Sequence, residues 1–69
     1  MKLKWTDVYA IAEALYDRFP EQDPMTVRFT DLMSWVLALP EFDDSADRCG
    51  EKVLEGIQMA WLAEWKVDH

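Results

Sequence analysis

Four groups of side chains in this sequence have the types and spacings that could do chemistry. They are the lone thiol Cys49, the lone imidazole His69, and two carboxylate pairs, Glu13 with Asp17 and Asp43 with Asp44. Cys49 stands between Asp47 and Glu51 with no histidine nearby in sequence, so the neighbouring negative charge disfavours its thiolate, the nucleophilic form. His69 is the last residue and offers no fixed geometry. Paired carboxylates perform acid–base chemistry only in a cleft that moves their pKa values, and a small core provides little of one. The reading is therefore not an enzyme. Each pair could instead offer two oxygens to a hard or borderline divalent cation, with water completing an open and weakly selective shell. On spacing alone, the pairs read first as solvated surface.

The elements that must position these groups belong to a short chain. Sixty-nine residues make a single domain, 1–69, that buries about 60% of its unfolded surface. The core of such a domain contributes about 3–5 kcal/mol net. Hydrophobic residues make up 51% of the chain, including four tryptophans. One cysteine excludes both an internal disulfide and a CxxC metal site, so the fold rests on packing. The amino-terminal "MKLKWTDVY" reaches Asp7 before any apolar run develops, and no segment approaches membrane-spanning length. A cytoplasmic, soluble monomer is the expected setting.

Fourteen acidic residues against seven basic ones give a formal net charge of −7. Nucleic-acid binders gain affinity by neutralising phosphates with Lys and Arg, which this balance opposes. An acidic surface suits a basic protein groove, divalent cations or simple solubility.

Thr6 is placed to cap a first helix of about Asp7 to Arg18, whose apolar stripe is Val8, Ile11, Ala12, Leu15, Tyr16 and Phe19. Asp7, Glu13 and Asp17 fall on its other side as an acidic strip, with Glu13 and Asp17 one turn apart. "PEQDP" forms a rigid turn, and "TVRF", Thr26 to Phe29, reads as a short strand paired with "KLKW". Thr30 caps a second helix with Leu32, Trp35, Val36 and Leu39 inward, ended by Pro40. In the acidic loop that follows, Phe42 anchors while Glu41, Asp43 and Asp44 face water. Ser45 is the cap candidate for a third helix with Val53, Leu54, Ile57, Ala60, Trp61 and Trp65 inward, opposite Glu51, Glu55 and Gln58. Trp5 is expected to staple onto the first turn of helix one. Met33, Leu37, Met59 and Leu62 lie off the stripes, where they could widen a partner footprint.

The expected fold is mainly α, a small three-helix domain of modified winged-helix character with a short strand pair. Its rival is a plain three-helix bundle in which "TVRF" is only a connector. Two functions follow from this architecture: an acidic adaptor on a basic protein groove, and a nucleic-acid-binding winged helix. The second helix has no Lys or Arg, which argues against the second function.

Read in order, "LKWTD", "EALYDRFPEQDP", "TVRFTDL", "FDD" and "EKVLEGIQMAW" resemble the IscX family, small acidic accessory proteins of bacterial iron–sulfur cluster assembly. The resemblance runs from Leu3 to about Glu64 and leaves "WKVDH" outside, with residues 65–69 as a short tail. It implies a modified winged helix without catalytic activity. It also implies binding to the cysteine desulfurase IscS in a groove shared with frataxin and ferredoxin, and weak binding of ferrous iron through surface carboxylates. Carried over by position, Asp7, Glu13 and Asp17 are the candidates for both docking and iron contact, and Asp23 and Glu55 for docking. The chain departs from the family pattern after "FDD", where Ser45 and Ala46 replace the usual acid and proline. Cys49 and Gly50 likewise replace the usual polar capping residues.

Overall fold

A computed structural model describes residues 2–68, the side chain of residue 68 excepted. His69 lies outside them. Three α-helices carry the fold: α1, Val8–Arg18; α2, Phe29–Leu37; and α3, Glu51–Asp68. Short 3₁₀ turns occupy Pro24–Thr26 and Ala46–Arg48. The architecture is mainly helical with almost no strand. The Cα trace spans 32 × 24 × 16 Å, too thin for a deep enclosed cleft.

The helices form where 3.6-residue periodicity predicts them, because each apolar stripe has a facing stripe to cover it. Ile11, Ala12 and Leu15 of α1 are buried against Leu54, Ile57, Ala60 and Trp61 of α3, with Leu32, Val36 and Leu39 closing the third side. At one end Phe19 stacks on Trp35, with ring centroids 4.6 Å apart, and Trp61 meets Trp35 edge-on at 6.2 Å. Helix α3 runs on through Trp65 to Asp68, so most of the segment assigned to a tail continues the helix.

The helix starts differ from the sequence reading. Asp7, not Thr6, holds the N-cap position of α1, and its carboxylate accepts from the Lys4 N–H at 2.9 Å. Helix α2 begins at Phe29 after an extended Arg28, one residue before the Thr30 expected to cap it. Ser45 caps the Ala46–Arg48 turn, its hydroxyl accepting from the Asp47 N–H, and α3 starts only after Gly50.

The expected strand pair between "TVRF" and "KLKW" is not formed. Asp23 caps a turn with Pro24 in its first position, which bends the chain before any strand can begin. The Val27 N–H is then taken by the Pro24 carbonyl, and Gln58 of α3 donates to the Pro24 and Val27 carbonyls at 2.9 and 3.5 Å. A helix side chain thus satisfies backbone groups that a partner strand would otherwise serve. Gln58, assigned from sequence to the outer face, is half-buried as a result.

The amino terminus pairs instead with the loop after α2. Leu3 forms an isolated parallel bridge with Phe42, its N–H donating to the Glu41 carbonyl at 2.7 Å and its carbonyl accepting from Asp43 at 2.8 Å. Trp5 is 3% exposed, meets Phe42 edge-on at 4.7 Å and donates its indole N–H to the Ser45 carbonyl at 2.7 Å. Its partner is therefore this loop rather than the first turn of α1. Asp44 does not face water: its side chain is 10% exposed and accepts from the N–H groups of Trp5 and Ser45, with Arg48 3.9 Å away. The Trp5 hydrogen bond, then that from Ser45, holds the Asp44 carboxyl below its ordinary value.

Three stability predictions follow from this clasp and from α3. Trp5→Phe keeps the ring against Phe42 but removes the bond to Ser45, which should cost about 1 kcal/mol and lower the thermal midpoint by about 4–8 °C. Because the folded Asp44 pKa lies below the unfolded one, its contribution is complete above the unfolded value of 3.8 and disappears as pH falls through the folded value. Midpoints measured from neutral to strongly acidic pH should therefore fall more steeply for the parent than for Asp44→Asn. Gly56 lies inside α3, where a Cβ would meet only Val8 Cγ1 at an ordinary 3.8 Å. Gly56→Ala should thus stabilise the fold by up to about 1 kcal/mol in a denaturant titration.

Candidate partner-binding site

The five carboxylates proposed from sequence have different situations in the fold. Glu13 and Asp17 project from α1 one turn apart, are exposed, and make no hydrogen bond or ion pair among the described residues. Asp7 is exposed at the start of the same helix, but one of its oxygens is committed to Lys4. Asp23 is half-buried and accepts from the Met25 N–H at 3.0 Å, so its carboxylate caps a turn. Glu55 is exposed on α3 and its side chain has no hydrogen bond or ion pair among the described residues. The helix therefore brings Glu13 and Asp17 together, while Asp23 is diverted to a structural task.

The placement of cations sharpens this arrangement. Lys2 and Lys4 lie 3.9 and 3.6 Å from Asp43, and Arg48 lies beside Asp44, so three of the seven basic side chains serve the clasp. The Asp43–Asp44 pair is correspondingly occupied by protein donors. Among the described residues no cation lies within ion-pair distance of Glu13 or Asp17, although Arg18 follows Asp17 on the same helix. Such a strip raises the encounter rate with a positively charged surface and repels phosphate backbones.

The metal-ligating possibilities are limited in the same way. Among the described residues no three His, Cys, Asp or Glu side chains come together as a group that could hold an ion. Glu13 and Asp17 can supply two oxygens, the open shell expected of weak contact with a hard cation. Cys49 is half-buried, and burial pushes its thiol above the ordinary value, which keeps it protonated near neutral pH.

One feature of this face escaped the sequence reading. Thr6 before α1, Val8 and Tyr9 of α1, and Gly56, Met59, Ala60 and Ala63 of α3 line an open groove of about 590 Å³. Tyr9 is 78% exposed and Met59 53% exposed. Tyr9 lies one turn before Glu13, and Glu55 one turn before Met59, so each wall carries a carboxylate next to its apolar residue. The sequence signal was the run of small residues at 56, 60 and 63, which gains meaning only when α1 is laid beside it.

Among the described residues no helix is long and apolar enough to cross a membrane. Comparison with known proteins matches residues 3–66 to a family described as iron–sulphur cluster assembly. The chain is also similar to the uncharacterized protein PA3808 of Pseudomonas aeruginosa. The two are 58% identical over 64 residues, which covers 93% of this chain and 97% of that protein. Matched across nearly its whole length, the chain belongs to the iron–sulphur cluster assembly family.

Proposed function

We propose that the protein is a non-catalytic, IscX-type accessory factor that docks on the cysteine desulfurase IscS through the Glu13–Asp17 face of α1. The observation that carries this reading is the pair of exposed, unpaired carboxylates one turn apart, on a chain whose amino-terminal cations are drawn to another loop. Family membership supplies the assembly context. The resemblance to IscX supplies the desulfurase and its basic groove.

Docking by this face is electrostatic in its approach. The strip steers the small domain onto the groove and competes there with other acidic partners, frataxin and ferredoxin in the IscX-like reading. Ferrous iron fits as a weak ligand of Glu13 and Asp17, with Asp7 one oxygen poorer, rather than as a resident cofactor. Bound there, it would partly neutralise the strip and shift the competition. Asp23 and Glu55 are secondary: the first is held in its turn, and the second stands on the neighbouring helix. The nucleic-acid reading gains no support, since Phe29–Leu37 contains no basic residue.

The test is a titration of the desulfurase with the purified chain at low and high salt, with and without ferrous iron and a frataxin competitor. Affinity should fall as salt rises and as competitor is added. The double variant Glu13→Lys, Asp17→Lys should retain its far-UV spectrum and lose binding. Normal binding by the folded double variant, or affinity indifferent to salt, would overturn the assignment.

A further inference from the structure

We infer that the groove between α1 and α3 seats a single apolar side chain projected from the basic partner surface, with Glu13 and Glu55 receiving flanking Lys or Arg groups. The inference rests on the docking reading above and identifies where the apolar part of that interface lies.

The groove has the composition of an interface centre within a polar rim. Its exposed large apolar lining residues are a tyrosine and a methionine, types enriched where partners meet. Carboxylates border both walls. On the α3 side Gly56, Ala60 and Ala63 line it with short side chains or none, which leaves the space open. Gly56 is informative here, because a Cβ at this position would meet only ordinary contact with Val8 and an alanine would favour the helix. The internal packing thus does not require glycine. Its effect is on the open face, where any side chain would begin to fill the slot.

Charge selects the occupant. A second copy, also carrying −7, would bring Glu13 and Glu55 of each chain against one another. A small ligand would meet mostly apolar walls in an open groove, with only the Thr6 and Tyr9 hydroxyls as polar side-chain groups and no charged one to orient it. A cationic protein surface with one protruding apolar residue satisfies both the rim and the apolar lining.

Two variants test this against the desulfurase. Tyr9→Ser with Met59→Ser removes exposed side chains only, and Gly56→Leu fills the open space while leaving Tyr9 and Met59 in place. Each should keep the helical spectrum and weaken binding at least about tenfold. Their salt dependence should run parallel to that of the parent, because the rim charges remain. If the parent binds in a salt-sensitive manner and both folded variants bind equally well, the groove inference fails while the docking reading stands. If the parent does not bind at low salt, the docking reading fails and the groove loses its stated occupant. Sedimentation of the free chain should give a monomer; a dimer dissociated by Tyr9→Ser with Met59→Ser would assign the groove to a second copy and overturn the proposal.

Discussion

The fold depends on a clasp between its amino terminus and the loop after α2. Asp44 accepts from the backbone of Trp5, across 39 residues of sequence, and the Trp5 indole donates to Ser45. These bonds close the chain over the hydrophobic core at the point where Leu3, Trp5 and Phe42 meet. In a domain of this size, which has no disulfide, the difference between folded and unfolded states is a few kcal/mol, so a few hydrogen bonds made away from water are a sizeable share of it. Lys2, Lys4 and Arg48 gather around the clasp, where their exposed pairs add little energy but do fix where positive charge resides.

That localisation connects stability with function. A chain of net −7 has more carboxylates than cations to pair them with, and the clasp draws three of its seven basic residues to one loop. Glu13 and Asp17 are left on α1 with no side-chain partner among the described residues. The acidic strip thus reflects the excess of carboxylates over cations together with the gathering of three cations at the clasp.

What could be read from sequence was what is local and periodic. The stripes Ile11–Ala12–Leu15 and Leu54–Ile57–Trp61 repeat at helical spacing, and burial against each other enforces that spacing. The Glu13–Asp17 pair was legible for the same reason. The long-range features were not. "TVRF" has strand-like residues, but Asp23 and Pro24 turn the backbone first, and Gln58, 31 to 34 positions away, donates to the Val27 carbonyl within it and to the Pro24 carbonyl before it. Asp44 stands in a loop of solvated composition, and its long-range bond exists only because Trp5 returns to it. The groove exists only once α1 and α3 lie together, because neither helix alone has two walls.

Physical size then limits what such a protein can do. A Cα trace only 16 Å across its short axis leaves little depth for an enclosed cleft, so most of its side chains lie near the surface. Surface charge is well suited to speed encounter and to exclude polyanions, but solvated ion pairs hold little once made. Retention requires apolar area removed from water, and on the α1–α3 face that area lies between the carboxylates rather than apart from them. In the proposed docking, a partner drawn in by Glu13 would arrive beside Tyr9, one helical turn away, with no further search. Rapid arrival and retention are thereby joined on one face of a domain too small to devote separate surfaces to them.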